Sequence, residues 1–359
     1  MLDIRPMLTA AAGVLTSPLA PDDFRSMVNP LWSRQRLSGR VEAVIPETLD
    51  ASTVVIRPGH DWREHLAGQH VGVGVDIAGV WHWRTFSLSS PPGRPDGLVT
   101  ITVKAGPGGF VSRHVVRRLR PGGIVRLSQP SGRFVLPEIL PARLLFVTAG
   151  SGITPVMSML RSFALAGDMP DVFHAHVAPT GREVIFGDEL RRLAARFPSL
   201  RLYEHHTRPV PGRRTRRPTV ADLSAACTDV ADRMAWVCGP RGLLDGAEAY
   251  WRAAGLPDRL RTERFQSVRR PSGAPGGRVR FVRSDREVAA DEGTSLLAVG
   301  EEADVVMPSG CRMGVCRTCL ARLADGRVRD LHTGEEHGDP GDLIQTCVST
   351  AVGDVDLDL

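Results

Sequence analysis

The sequence has almost no lysine, few aromatic residues and no long apolar run. Lys104 is the only lysine, so nearly all of the 45 basic side chains are arginines. Aromatic residues make up 5% of the 359 residues, and no basic cluster is interleaved with them, which argues against nucleic acid as a partner. No segment approaches the ~18 consecutive apolar residues of a membrane-spanning helix. These absences leave a soluble globular protein as the expectation.

Two common catalytic motifs are also missing, and a signal peptide is not expected. The chain has no Gly-x-Ser-x-Gly of serine hydrolases, and its eleven histidines include no His-Glu-x-x-His of zinc proteases. Near the N-terminus, Met7–Leu15 is weakly apolar, but Asp3 offsets Arg5, so the basic start of a signal peptide is lacking. We therefore expect a short amphipathic helix there and a cytoplasmic protein.

Charge is divided unevenly along the chain. Residues 279–359 contain 16 acidic and 8 basic residues (net −8), whereas residues 1–278 contain 24 acidic and 37 basic residues (net +13). Opposite charges of this kind suit two modules that dock on each other, or an acidic module that meets a basic partner.

The spacing of apolar and turn residues predicts a multidomain chain. After an N-terminal arm (residues 1–36), short β-branched runs separated by Gly and Pro predict an antiparallel β-barrel over residues 37–140. Strands alternate with helices over residues 141–268, which predicts an α/β domain with a parallel sheet and ligands at the carboxyl ends of its strands. Residues 269–278 predict a linker, and residues 279–359 a compact acidic domain. The predicted α/β elements are strands at 144–148, 172–177, 200–205 and 234–238, and helices at 155–166, 187–197, 221–227 and 243–254.

Four of the six cysteines lie in the last 49 residues, at Cys311, Cys316, Cys319 and Cys347. Their C-x4-C-x2-C…C spacing is typical of plant-type [2Fe–2S] sites, in which three thiolates from one loop converge with a fourth from elsewhere. A structural zinc site is the alternative, but zinc loops usually carry two separated C-x2-C pairs. The segments 308–319, 325–328 and 343–348 resemble plant-type ferredoxins, which implies a β-grasp fold with a one-electron [2Fe–2S] centre.

A flavin site is indicated at the end of a predicted barrel strand. Alternation along the strand places Arg84 and Phe86 on one face and Ser87 on the other. A flavin needs an aromatic ring beside the isoalloxazine, a hydroxyl near its reactive edge and a cation for its phosphates. A second element puts glycines and a serine at a helix N-terminus, which is an anion site, although a plain capped helix is the alternative. Its candidate residues are Lys104, Gly108, Gly109, Val111 and Ser112.

A nicotinamide site is indicated by two turns that follow apolar strands. In the first, Gly150 and Gly152 lie between a strand and a helix that begins near Thr154 and Pro155, so that backbone N–H groups can approach a pyrophosphate. The third glycine of the dinucleotide-binding fingerprint is missing, so the interpretation depends on the position of this glycine turn directly after an apolar strand. The second turn contains Cys238, Gly239 and Pro240; taken alone, Cys238 fits a buried strand cysteine.

Together these motifs resemble the ferredoxin–NADP reductase superfamily, in which flavin, nicotinamide and ferredoxin domains can share one chain. The resemblance implies that Arg84 holds the FAD phosphates, Phe86 stacks on the flavin and Ser87 lies near its redox nitrogen, with residues 109–112 around the pyrophosphate. It also implies that Thr154 and Cys238 flank the nicotinamide, and that Phe265 of the Glu-x-Phe motif packs near the flavin. The loop at residues 104–112 lacks the Arg-Gly-Gly-Ser form seen in FMN-binding relatives, so the resemblance favours FAD over FMN.

The resemblance indicates NADPH rather than NADH, without settling it. Thr207 and Arg208 are similar to the family's turn after the third strand of the nicotinamide domain, and arginines follow at 213, 214, 216 and 217. Arginines can bind a 2′-phosphate bidentately. Pro179 departs from the pattern, because NADP-using relatives often have an arginine there.

The order of the motifs predicts an NAD(P)H:acceptor oxidoreductase of the ferredoxin reductase type. Hydride passes from NAD(P)H to FAD, and single electrons pass to the [2Fe–2S] cluster and then to a protein acceptor. The segments 28–32 and 81–84 resemble actinobacterial reductases that serve membrane acyl-CoA desaturases, so a fatty-acyl desaturase is the first expectation, with peripheral contact to a membrane-bound partner. The alternatives are a ring-hydroxylating oxygenase, an alkane hydroxylase or a cytochrome P450 as acceptor, or a redox sensor or carrier that does not turn over.

Overall fold

The computed structural model describes residues 27–33, 36–106, 109–210, 212–223, 225–265, 275–310, 314, 317–331 and 334–359. Two compact units account for them, one built mainly from residues before 265 and the other mainly from residues 265–359. The amphipathic helix expected near the N-terminus lies outside the described residues. In the described part of the arm, Asn29 caps a 3₁₀ turn (Pro30–Trp32), its side chain accepting a hydrogen bond from the Leu31 N–H at 3.0 Å.

The first unit begins with a six-stranded sheet of antiparallel pairs, in the order β4-β3-β6-β1-β2-β5. Leu88, directly after β4, bridges Ile101 in β5, so the two edge strands meet and the sheet closes as the predicted barrel. Valines and isoleucines alternate into its core, and Val111 and Val115 of helix α1 are buried in the same cluster. The elements are β1 (Ser38–Thr48), β2 (Ala51–Pro58), β3 (His70–Ile77), β4 (Val80–Ser87), β5 (Val99–Lys104), α1 (Phe110–Arg117) and β6 (Ile124–Leu127).

The second sheet of this unit has five parallel strands in the order β11-β10-β7-β8-β9. The chain runs outward from β7 to β9 on one side and then returns to build β10 and β11 on the other. The carboxyl ends of β7 and β10 therefore border the topological switch point, where ligands of open α/β sheets bind. The elements are β7 (Arg143–Ala149), α2 (Ile153–Ala166), β8 (Asp171–Ala178), α3 (Gly187–Arg196), β9 (Leu200–His206), α4 (Val220–Leu223), β10 (Met234–Cys238), α5 (Arg241–Ala253) and β11 (Leu260–Glu263).

The second unit carries a mixed sheet in the order β13-β12-β17-β14-β15, with β16 paired to β14. The central pair β12 and β17 is parallel, the other pairs are antiparallel, and helix α6 packs its leucines into the core. A helix laid across a sheet with a parallel central pair is the predicted β-grasp arrangement. The elements are β12 (Pro275–Phe281), β13 (Arg286–Asp291), α6 (Leu296–Glu302), β14 (Leu320–Asp330), β15 (Glu336–His337), β16 (Leu343–Gln345) and β17 (Ser349–Leu357).

Three local expectations need correction. The helix predicted over 221–227 is the short α4, because Cys227 turns into the core and its thiol donates to Asp229 Oδ1 at 3.2 Å. Strand β11 was not predicted, because its four residues are too few to show a clear alternation of apolar and polar side chains. Strand β12 begins at Pro275, inside the interval predicted as linker; there Gly277 has a φ of +121°, and an added Cβ would lie 1.9 Å from the Gly353 carbonyl oxygen.

Candidate functional site

The predicted flavin residues lie at the end of strand β4. Phe86 is half-buried against the barrel core, and Ser87 is buried. The Arg84 guanidinium donates to the Trp83 carbonyl at 2.7 Å. The strand thus presents an aromatic ring, a hydroxyl and a cation within four residues, which is the set that a flavin requires.

Among the described residues, helix α1 has no side-chain cap, which leaves its first N–H groups available to an anion. Its N-terminal residue is preceded by Gly109, where an added Cβ would lie 2.3 Å from Ser112 Oγ. The glycine therefore keeps the first turn open, and N–H groups at a helix N-terminus attract phosphate. Residues 109–112 fit the FAD pyrophosphate on these grounds. Gly108 lies outside the described residues, and Lys104 pairs with Asp50 at 3.0 Å.

The turns after β7 and β10 lie against each other at the switch point. Thr148 of β7 is in register with Cys238 of β10. An added Cβ at Gly152 would lie 2.2 Å from the Cys238 carbonyl oxygen, and one at Gly239 would lie 3.1 Å from the Ala149 Cβ. Only a glycine permits this approach at position 152, because the clash there is with backbone, whereas a Cβ at position 239 would press on neighbouring side chains.

The other residues predicted in the first turn also lie at this crevice. Gly150 has a φ of +54°, which favours glycine. The Thr154 hydroxyl donates to the Ser151 carbonyl at 3.0 Å, and both Thr154 and Pro155 are buried at the start of α2. Pro240 directly precedes helix α5. Phe265 is half-buried, and its expected place near a flavin stays a prediction.

Glu263 joins the two halves of the first unit beside this crevice. It ends β11 in register with Cys238, and its Oε2 accepts from Ser87 Oγ at 3.4 Å. Its Oε1 lies 3.4 Å from Nδ1 of His70, which begins β3. The structure therefore brings the barrel residue Ser87 and the α/β residue Cys238 to the same carboxylate. Sequence reasoning did not assign Glu263 or His70 to the site; the Glu-x-Phe motif was the signal for the first.

Cys238 is held as a neutral thiol. Burial raises its pKa well above the usual range, and the nearby Glu263 carboxylate adds to the effect. A thiol in this state is a poor nucleophile.

A cavity of about 470 Å³ lies at the ends of β8 and β9. Backbone bonds from Thr207 N to the Ala178 carbonyl (3.0 Å) and from Arg208 N to the Pro179 carbonyl (2.7 Å) hold the two loops together. Arg208, Arg213 and Arg214, three of the arginines considered for a 2′-phosphate, line it, whereas Arg216 pairs with Asp222. The lining residues are Thr180, Glu183, Arg208, Pro209, Val210, Gly212, Arg213 and Arg214.

Two buried histidines lie next to the first glycine turn. Thr148 Oγ1 is 2.9 Å from His174 Nε2 and 2.8 Å from His176 Nδ1, and both rings are buried. Burial lowers the pKa of His174 to about 3 and that of His176 well below its usual range. Both rings are therefore neutral at physiological pH, and their role is to pack the sheet.

Two of the four predicted cluster ligands converge in the second unit. Cys319 and Cys347 are buried, and their sulfur atoms lie 3.2 Å apart, well beyond the 2.03–2.05 Å of a disulfide. The Gly314 N–H points at the Cys347 sulfur at 3.3 Å, a bond that stabilises a thiolate. These residues fit the iron–sulfur interpretation. Cys311 and Cys316 lie outside the described residues.

Comparison with known families assigns all three domains. Residues 57–136 match the oxidoreductase FAD-binding domain, residues 146–249 the oxidoreductase NAD-binding domain, and residues 280–352 the 2Fe-2S iron-sulfur cluster binding domain. The matches confirm the predicted resemblance, the three-domain architecture and the FAD, NAD(P) and [2Fe–2S] groups.

Individual relatives extend over nearly the whole chain. An NADPH oxidoreductase of Mycobacterium tuberculosis is 47% identical over 356 residues, covering 98% of this chain and 92% of its own length. The ferredoxin reductase component of 3-ketosteroid-9-alpha-monooxygenase from Mycolicibacterium smegmatis is 32% identical over 340 residues, covering 88% and 94%. The structure of phthalate dioxygenase reductase aligns with a TM-score of 0.62 at 23% identity, covering 90% of this chain and 97% of that one, which shows a shared fold.

None of the helices in the described residues has the length and hydropathy of a membrane-spanning segment.

Proposed function

Since the chain belongs to the family of modular NAD(P)H oxidoreductases that pass electrons through FAD to a [2Fe–2S] centre in the same chain, we propose that it is an NADPH-dependent reductase of an oxygen-activating enzyme. The observation that carries the proposal is the crevice in which Ser87, Glu263 and Cys238 meet beside two glycine turns. FAD, when bound, accepts hydride from a nicotinamide and releases the electrons singly.

Each protein group has a defined task in this proposal. The first turn of α1 would hold the FAD pyrophosphate, Arg84 would neutralise phosphate charge and Phe86 would pack on the flavin. The turns at Gly150–Gly152 and Gly239 would admit the nucleotide, with Thr154 and Cys238 beside its nicotinamide. Ser87, which donates to Glu263, would orient the flavin edge. Orientation of this kind is worth several kcal/mol in a bimolecular step.

The arginine-lined cavity supports NADPH as the donor. A 2′-phosphate carries up to two negative charges, and Arg208, Arg213 and Arg214 line one cavity at the ends of β8 and β9. The name of the Mycobacterium tuberculosis relative, an NADPH oxidoreductase, points the same way.

An anaerobic titration of the purified holoprotein tests the electron path. We expect NADPH to bleach first the flavin and then the broader iron–sulfur absorbance, and NADH to do so only at higher concentration. Cluster absorbance without flavin, or no bleaching by either nucleotide, would contradict the proposal.

We propose an acyl desaturase as the acceptor. The described part of the arm supports a partner at a membrane surface, because Met27, Val28 and Trp32 are exposed apolar side chains within six positions, at 71%, 75% and 55% exposure. An oxygenase is the second candidate, favoured by the ketosteroid monooxygenase reductase among the relatives.

Reconstitution separates the two acceptors. The reductase, NADPH and membranes containing an acyl-CoA desaturase should convert a saturated acyl-CoA to the monounsaturated product. The same reductase should support the turnover of a purified ring-hydroxylating oxygenase poorly. Turnover of the oxygenase alone would reverse the assignment, and replacing Trp32 with Ser should lower desaturation while leaving cytochrome c reduction unchanged.

A further inference from the structure

The cavity at the ends of β8 and β9 contains a carboxylate as well as arginines. Glu183 is the one acidic side chain among its described lining residues. Its Oε1 accepts from Arg208 Nη2 at 3.2 Å, and its Oε2 accepts from the Thr180 hydroxyl at 2.9 Å. The carboxylate is thus held at two points, and it pairs with Arg208, the cation that a phosphate would use.

The chain positions this carboxylate through local structure. Thr180 and Glu183 frame a single 3₁₀ turn (Gly181–Glu183) that follows β8, and the Glu183 N–H donates to the Thr180 carbonyl at 3.1 Å. The turn returns the Glu183 side chain toward the loop after β9, which carries Arg208. Glu183 is about one-third exposed (31%), so a ligand can reach it from solvent.

We propose that Glu183 sets the balance between the two nicotinamide nucleotides by competing with the 2′-phosphate for Arg208. This inference rests on the proposed function, in which the cavity receives the 2′ end of the nucleotide. A 2′-phosphate must displace a like-charged carboxylate from Arg208, which weakens NADPH binding. A 2′-hydroxyl can instead donate a hydrogen bond to the carboxylate, which helps NADH. Glu183 thereby lowers a preference for NADPH that the three arginines alone would make stronger.

Binding of two nucleotide fragments to the holoprotein tests the proposal without relying on turnover. The probes are 2′,5′-ADP, which carries the 2′-phosphate, and 5′-AMP, which has a 2′-hydroxyl, each titrated by calorimetry. We expect Glu183→Gln to tighten 2′,5′-ADP roughly tenfold, because the charge is lost while the amide keeps the shape. The Kd of 5′-AMP should change less than about threefold, and the ratio of kcat/KM for NADPH over NADH should rise by the same factor of ten.

Two further variants of the cavity and one matched control sharpen the result. Thr180→Val removes the hydroxyl that holds Glu183 and should shift the preference in the same direction by a smaller factor. Asp188→Asn makes the same charge change on the neighbouring helix α3, where Asp188 is 87% exposed and pairs with Arg191 at 3.3 Å. Because Asp188 does not line the cavity, this control should leave both Kd values unchanged.

Arg208→Gln distinguishes failure of this inference from failure of the assigned donor. If Arg208→Gln weakens 2′,5′-ADP but Glu183→Gln leaves its Kd unchanged or raises it, Glu183 does not compete and the inference is wrong. If Arg208→Gln leaves the Kd of 2′,5′-ADP unchanged, the cavity is not the 2′-phosphate site and the inference is overturned, while the anaerobic titration with NADPH and NADH still decides the donor. If the wild-type protein binds 2′,5′-ADP no more tightly than 5′-AMP, the NADPH assignment itself is wrong. If Glu183→Gln and Asp188→Asn lower the Kd of 2′,5′-ADP equally, the inference is also overturned, since the change would reflect net charge alone.

Discussion

Replacing Gly152 with alanine should damage both the stability of the first unit and its use of NADPH. The added Cβ would lie 2.2 Å from the Cys238 carbonyl oxygen and 2.5 Å from its carbon, both backbone atoms that cannot rotate away. Ordinary contact begins near 3.4 Å, so the turns after β7 and β10 must separate by about 1.2 Å. Overpacking of this kind costs about 1–3 kcal/mol.

The two effects have separate readouts. A loss of about 2 kcal/mol lowers the Tm of a unit of this size by about 4–8 °C, which calorimetry would detect. A shift of about 1 Å in a positioning element can cost roughly 100-fold in rate, so kcat/KM for NADPH with ferricyanide as acceptor should fall by 10- to 100-fold. Ferricyanide takes electrons from the flavin, which removes the cluster from the measurement.

The matched control is Gly246→Ala in helix α5. An added Cβ at Gly246 meets no atom within 4 Å, and alanine favours a helix interior over glycine by about 1 kcal/mol. The same chemical change should therefore stabilise the protein at position 246 and destabilise it at position 152. A Gly152→Ala protein with wild-type Tm and wild-type KM would refute the close approach of the two turns.

Four further outcomes follow from the described contacts. Cys347→Ser should abolish the iron–sulfur absorbance and cytochrome c reduction while ferricyanide reduction continues, whereas Cys227→Ser should retain the cluster because Cys227 lies in the other unit. Ser87→Ala should slow flavin reduction by about 10- to 100-fold in stopped flow with the flavin content unchanged; a wild-type rate would remove Ser87 from the site. Burial depresses the pKa of His174 to about 3 in the folded state, so below pH 6.5 the unfolded chain binds a proton that the folded chain does not. The free energy of unfolding should therefore fall by about 2 kcal/mol between pH 7 and pH 5. Urea unfolding measures this loss, which should be smaller in His174→Gln. Arg233→Met should cost about 1–3 kcal/mol, because it removes the buried guanidinium that bonds Asp171 and Asp229 and leaves the Leu144 carbonyl without this donor; an unchanged urea midpoint would contradict the contribution assigned to Arg233.

The parts of the site that could be predicted are those encoded by short spacings. Cys311, Cys316 and Cys319, the strand that ends at Ser87 and the glycines at 150 and 152 are each encoded by close neighbours in the chain, so periodicity and motif spacing were enough. Cys347 is 28 positions beyond Cys319 and was found by its residue type and resemblance. The reason for Gly152 was less accessible, since its clash partner Cys238 lies 86 positions away.

The contacts that could not be predicted join distant strands. Glu263 meets Ser87 across 176 positions and His70 across 193, and the strand that carries Glu263 has only four residues. Glu183 reaches Arg208 because two loops happen to follow adjacent strands of the sheet. Such pairs depend on strand order, which a single sequence does not reveal, whereas the type of sheet followed from the alternation of strands and helices.

The two ends of the parallel sheet are built for different purposes. At the amino ends, the buried Arg233 donates to the Leu144 carbonyl at 3.0 Å and to Asp171 at 2.9 Å, which ties the starts of β7 and β8 to its own position before β10. At the carboxyl ends, glycine turns leave backbone groups facing the crevice. Side chains that hold strands together at one end allow the other to expose N–H groups without loss of register. Because Arg233 lies at the end of the sheet away from the crevice, Arg233→Met should change stability and leave nucleotide binding intact, whereas Arg208→Gln should weaken nucleotide binding.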